Sequence, residues 1–148
     1  MKKKKIITLI LIIAWMIIVF CLSQQAADES SKLSGEILNT ILRIFKLDKE
    51  TSIFTENAIR KLAHFTLYTL GGILILSHVN LYNIETNRKV ITSQVIGTAY
   101  AITDEFHQIF IPGRSGEVRD ICIDSLGVIT GIMILLLIIK LTKKKEGN

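Results

Sequence analysis

The sequence predicts an all-α integral membrane protein: a bundle of four transmembrane helices with an external amphipathic helix between the first two spans. Three observations lead there. Apolar residues make up 49% of the 148 positions and mean hydropathy is +0.45, too apolar for an ordinary soluble domain of this length. They are gathered into four blocks, residues 6–22, 62–79, 90–110 and 121–141, each close to the roughly 20 residues that cross a hydrocarbon core about 30 Å thick. The single proline, Pro112, lies outside the spans, and no block alternates with the period of two that a β-barrel strand requires. The chain thus reads as one membrane domain over 1–148, with no internal repeat or linker.

Each element has its own reason. The first block follows Lys2 to Lys5, a run that also suits the start of a signal peptide. Its 17 residues, apolar but for Thr8, exceed the usual ~7 to 15 of a cleaved leader, and although Ser23 with Cys21 offers small residues at a cleavage position, an uncleaved anchor is expected. Between the first two spans, Leu33, Ile37, Leu38, Ile41, Leu42, Ile44 and Phe45 fall at helical spacing, with Glu36, Asn39, Arg43 and Lys46 turned away. About 15 residues cannot span, so this helix is expected to lie on the outer leaflet or to lid the bundle. Thr51 or Ser52 is placed to cap the second span, with Thr55 or Glu56 at its start. Ile111-Pro112-Gly113 makes a turn that joins the third span to the fourth through Arg114 to Asp120.

Charge orients the bundle. With Met1 in the cytoplasm, the termini and the 80–89 loop carry ten basic residues against two acidic ones, and everything else carries eight against eleven. That asymmetry follows the positive-inside rule and predicts a multi-pass cell-membrane protein with both termini cytoplasmic. The formal charge of +5 is therefore read as topology, and no nucleic-acid partner is expected. Cys21 and Cys122 both fall near outer helix ends, where a bridge is conceivable, but two unpaired thiols are the expectation.

The polar residues are concentrated where they are costly. Arg60, Lys61 and His64 open the second span, Asp104, Glu105, His107 and Gln108 close the third, Asp120 and Asp124 open the fourth, and Arg114 stands on the connecting loop. By the topology above all lie at one level, the outer headgroup region. Arg60 with His64, Asp104 with His107 and Gln108, and Asp120 with Asp124 share helix faces by their three- or four-residue spacing. Gly71, Gly97 and Gly131 lie seven residues deeper than His64, Asp104 and Asp124, and Gly127 adds a G-x-x-x-G, so a small-residue face is expected to draw the helices together beneath a polar bowl. His78, at the opposite end of its span, reads as an interfacial bystander.

Three chemistries are open to such a bowl. Asp104 or Glu105 with His107 is an acid/base arrangement, and Arg60, Lys61 and Arg114 are anion anchors. His64, His107, Asp104, Glu105, Asp120 and Asp124 contain the donor types of a two-histidine-plus-carboxylate metal site, but no metal, nucleotide or hydrolase signature is present, and neither metal nor cofactor is assigned. A fourth outcome is an ion-pair network in which Arg60 and Arg114 neutralise Asp104, Asp120 or Asp124 and lock the bundle.

The runs Arg60-Lys61-Leu62-Ala63-His64-Phe65-Thr66-Leu67-Tyr68, Thr103-Asp104-Glu105-Phe106-His107-Gln108-Ile109-Phe110-Ile111-Pro112-Gly113-Arg114-Ser115-Gly116 and Asp120-Ile121-Cys122-Ile123-Asp124-Ser125-Leu126-Gly127 resemble the VanZ-like family of bacterial membrane proteins in order and spacing over nearly the whole chain. Ser23, Ser30 and Ser34 resemble that family's first external loop more loosely. The resemblance implies a cell-envelope protein, and its namesake is associated with teicoplanin resistance; it supplies motif positions rather than a reaction. Leu67 stands where relatives often carry an acidic residue. Two functions are then expected to compete: an enzyme acting on an anionic lipid or lipid-linked cell-wall precursor, with His107 and Asp104 or Glu105 as acid/base, or a non-catalytic protein that binds such a lipid or a membrane partner. A proton or ion transporter fits less well, because the inner halves of the spans hold no acidic relay.

Overall fold

Long runs of Ile, Leu and Val without an internal proline favour helix once water is replaced by hydrocarbon, because only a helix satisfies every backbone polar group within its own segment. The computed structural model describes residues 2–45 and 55–146. They form five helices: α1 (Lys2–Ser23), α2 (Ala27–Phe45), α3 (Glu56–Val79), α4 (Thr86–Gln108) and α5 (Val118–Glu146). The described residues contain no strand.

The helices α1, α3 and α5 are long and apolar enough to cross a bilayer. The 23-residue α4 is long enough but falls short on apolarity, since Asn87, Arg88, Lys89, Thr92, Ser93 and Gln94 interrupt its first half. The apolar criterion is therefore met at three of the four expected spans. Large side chains on the outer faces, among them Ile6, Ile10, Ile17, Leu62, Met133 and Leu137, are exposed. So much exposed apolar surface suits a lipid solvent and not water.

The centre of the bundle is α3, which packs against each of the other four helices, while α4 also touches α1 and α5. Trp15, Val19, Tyr68, Ile75, Leu76, Ala101, Val128 and Ile132 fill the core. Trp15 donates from Nε1 to the Leu67 carbonyl at 2.9 Å and meets the Tyr68 ring edge-on, and Tyr100 donates to the Met16 carbonyl at 2.6 Å. The α3–α5 seam is closed by glycine. A methyl built on Gly72 would collide with the Val128 carbonyl oxygen and one on Gly131 with the Thr69 carbonyl oxygen, while one on Gly127 would stand 2.5 Å from the Phe65 carbonyl oxygen. Gly97 receives the Val128 side chain and Gly71 the Trp15 ring, so the glycines below the polar residues lie in helix contacts, as their spacing predicts.

The amphipathic helix starts earlier than its apolar stripe, at Ala27, with Asp28 and Glu29 in its first turn. Leu38 and Leu42 bury against Ile59 of α3, with Ile41 beside them, while Leu33, Ile37 and Ile44 stay exposed. Lys46 and the two caps expected for α3, Thr51 and Ser52, lie outside the described residues; the cap is Thr55, whose hydroxyl accepts from the Ala58 N–H at 3.1 Å. Ile109 and Phe110, expected to finish the third span, instead enter the turn after α4. At the opposite end of the bundle His78 is more than a bystander: its Nδ1 shares a 2.7 Å hydrogen bond with Thr8 Oγ1 and so ties α3 to α1. Cys21 and Cys122 are free and exposed.

Candidate functional site

The C-terminal ends of α1 and α4 and the N-terminal ends of α3 and α5 meet at one end of the bundle, and the polar residues gather there. The Pro112-Gly113 turn sets the rim. Pro112 presets its own φ, Gly113 takes φ 76°, which L side chains resist, and the Arg114 N–H closes the turn on the Ile111 carbonyl at 3.1 Å. Glu105, buried at the end of α4, then accepts the Glu117 N–H at 2.5 Å and pins the returning loop. The chain between these two anchors holds Arg114 over the space between α3 and α5.

That space is a pocket of about 60 Å³, lined by Arg60, Lys61 and His64 of α3, Gln108 of α4, residues 113–115 and Glu117 of the loop, and Asp120, Ile123 and Asp124 of α5. It is several times the ~10–15 Å³ that a single water requires, and it suits a compact polar group. Of the residues singled out in the sequence, Arg60, Lys61, His64, Gln108, Arg114, Asp120 and Asp124 thus meet around one cavity.

The cations in it differ in their pairing. Lys61 donates to Asp120 Oδ1 at 2.6 Å and stands 3.6 Å from Glu117 Oε2, so its charge is neutralised across the α3–α5 seam. Arg60 donates to the Asn57 side chain at 3.2 Å and pairs with no carboxylate among the described residues. The Arg114 guanidinium has neither a hydrogen-bonding nor an ion-pairing partner among them, and its Nε is buried. Burial and the nearby Arg60 charge push the Arg114 pKa below its ordinary value, while Asp104, Glu105 and Asp120 pull it back up. It remains a cation with donors to spare.

Below the pocket lies a second group. His64 of α3, Asp104 of α4 and Asp124 of α5 bring one donor atom each to within 4.8 Å of one another. His64 Nδ1 stands 3.6 Å from Asp124 Oδ2, too long for a hydrogen bond, and neither Asp124 oxygen has a hydrogen-bond partner among the described residues. Gln108 bridges from this group to α1, reaching Asp104 Oδ2 at 3.3 Å and the buried Ser23 hydroxyl at 3.4 Å. Tyr68 is wholly buried one turn below His64, and its hydroxyl has no hydrogen-bond partner among the described residues.

His107 is elsewhere. It lies against Phe20 of α1, ring centroids 4.7 Å apart, and its Nε2 meets the Gln24 amide at 3.3 Å. Three helical residues fall about 60° short of a full turn and four fall about 40° beyond it, so Gln108 stays on the face of Asp104 while His107 rotates onto α1. The expected Asp104–His107 contact is therefore not formed; the imidazole beside the carboxylates is that of His64. Sequence reasoning also missed Tyr68, which its four-residue step from His64 marks, and the bond from Gln108 to Ser23, for which no local pattern speaks.

An all-helical membrane protein with a polar, cation-rimmed pocket at one end of its bundle is the class that these features define. Residues 8–139 match the VanZ/LLP1 family, and the chain belongs to it. No curated protein and no solved structure matched the chain.

Proposed function

We propose that this protein binds the phosphate-bearing headgroup of an anionic membrane lipid, lipid-linked cell-wall precursors included, in the pocket between α3, α5 and the 113–117 loop. The observation that carries the reading is the pair of guanidiniums, Arg60 and Arg114, that converge on one cavity with no carboxylate paired to either among the described residues. An unpaired buried guanidinium is costly, and a phosphate oxygen matches its fork of donors. The ion-pair network expected as the alternative had Arg60 and Arg114 neutralising Asp104, Asp120 or Asp124; among the described residues Asp120 pairs instead with Lys61, and both arginines are left over.

Four spans, with α4 carried through the bilayer by its partners, complete the proposal. Ser93, Gln94 and Thr98 of α4 turn inward, where Gln94 donates to Thr98 Oγ1 at 3.0 Å and to the Ser125 carbonyl at 3.1 Å, while Ile91, Val95, Ile96 and Ile102 stay exposed. The excess of basic residues at the opposite end of the bundle supports cytoplasmic termini and a pocket at the outer headgroup level of the cell membrane. There α2 lies beside α3 with Leu33, Ile37 and Ile44 exposed, as an interfacial helix requires.

Titration of the purified protein in detergent with a short-chain polyprenyl phosphate, and with inorganic phosphate, tests the reading. Arg60→Gln and Arg114→Gln are each expected to weaken binding of the lipid at least tenfold, the order of one charge-assisted hydrogen bond. Undiminished affinity in both variants overturns it. In cells, a change in teicoplanin susceptibility on expression of the wild type, lost with Arg114→Gln, is the corresponding phenotype.

A further inference from the structure

We propose that His64, Asp104 and Asp124 form a binding site for one divalent transition-metal ion, of the zinc or cobalt type, at the floor of the pocket. Three helices each contribute one donor, an imidazole nitrogen and two carboxylate oxygens, within 4.8 Å of one another. Two ligands held ~2.0–2.2 Å from a tetrahedral ion stand roughly 3.4 Å apart. The 3.6 Å between His64 Nδ1 and Asp124 Oδ2 is therefore a ligand spacing, where a hydrogen-bonded pair would be closer to 2.8 Å.

A second, independent observation is the lack of any other partner. Asp124 is 1% exposed, and neither of its oxygens has a hydrogen-bond partner among the described residues. Native interiors leave few such atoms orphaned, and a single cation satisfies them together. Lys61, the lysine that lines the pocket, is committed to Asp120. Gln108 supplies the support expected outside a metal's own ligands: it donates to Asp104 Oδ2 and is itself anchored on Ser23. His64 and Asp124 also line the pocket, which leaves the ion open toward the arginine rim. An open position is what separates a working metal from a structural one. A phosphate oxygen held at Arg60 and Arg114 would complete its coordination.

The site is shared with the headgroup reading but does not depend on it, so the experiment is run without lipid. The full chain in detergent, stripped with EDTA, is titrated with Co²⁺ and Zn²⁺ and its metal content measured after gel filtration. One ion per chain is expected, with a visible Co²⁺ absorption band that Zn²⁺ displaces. Asp104→Asn, Asp124→Asn and His64→Gln should each lower affinity at least tenfold, and Gln108→Leu, which removes only the support, about tenfold. Asp28→Asn, on the exposed face of α2, should bind as the wild type does. Circular dichroism and the gel-filtration profile identify any variant that fails to fold, and for those the wild-type Co²⁺ spectrum decides. Substoichiometric metal with no Co²⁺ band, or wild-type affinity retained in all three ligand variants, overturns the proposal. Neither result bears on polyprenyl phosphate binding at Arg60 and Arg114, whose loss would in turn leave a measured metal site standing.

Discussion

Arg114 owes its position to the three residues before it and to Glu105 of α4. Pro112 and Gly113 turn the chain back on itself, the Ile111 carbonyl closes the turn, and Glu105 anchors the loop beyond it. Gly113→Ala forces an L side chain into a positive φ, at a cost of order 1–3 kcal/mol. We expect it to weaken headgroup binding without removing any charge, and a titration that shows unchanged affinity would separate the turn from the site. Arg114→Lys keeps the charge but loses the fork of parallel donors, so it should recover only a small part of what Arg114→Gln loses. His107 gives the opposite expectation. Its ring is occupied with Phe20 and Gln24, so His107→Gln should leave lipid binding within twofold of wild type, and a tenfold loss would return it to the site that its spacing from Asp104 suggested. Spacing grouped Asp104 with both Gln108 and His107, and only Gln108 meets it, because the roughly 100° that separates adjacent helical residues decides only relative direction; which neighbour occupies that direction is a tertiary fact.

At the scale of the element, the glycines of α3 and α5 matter more than the apolar residues around them. Lipid tails are as apolar as leucine, so burial alone does not drive the two helices together, and close approach with dense packing must. Gly72 and Gly131 each face a carbonyl oxygen on the opposite helix, with no space for a methyl group. Gly131→Leu should therefore pry the seam apart and destabilise the bundle by about 1–3 kcal/mol or more, read as a lower Tm in detergent, while Gly116→Ala, whose neighbours are led by the movable Ile109 side chain, should cost less. Equal melting of the two variants would remove the seam from the account. The helix α2 is held by a smaller contact, Leu38 and Leu42 on Ile59. Leu38→Asp is expected to release it and to raise protease cleavage between α1 and α3 while the Tm of the spans holds. Its existence and its apolar stripe were legible in the 3.6-residue period; its start at Ala27 was not, because Asp28, Glu29, Ser30 and Ser31 carry no apolar periodicity, and acidic residues settle into a helix's first turn for electrostatic reasons.

The whole molecule is a polar site hung on an apolar frame, and its two ends are distinguishable by charge. In a background with Cys21 and Cys122 changed to serine, a cysteine placed at Ser115 should react with a membrane-impermeant maleimide in intact cells; reaction only after permeabilisation would reverse the orientation. Length, hydropathy and the placement of lysine and arginine were enough to establish an all-helical membrane protein, its apolar blocks and the set of polar residues at one end, because those properties follow from what a bilayer tolerates position by position. The surroundings of the polar residues of α4 were not open to that argument: Ser93 is buried and Gln94 donates to the Ser125 carbonyl of α5, contacts that a window of sequence does not register. Nor was the division of the charges into Lys61 paired with Asp120, Arg60 and Arg114 unpaired by any carboxylate among the described residues, and His64 grouped with Asp104 and Asp124. Which cation meets which anion depends on rotations and heights fixed only when α3, α4 and α5 close on their glycines, and a difference of one residue along a helix redirects a side chain to another neighbour altogether.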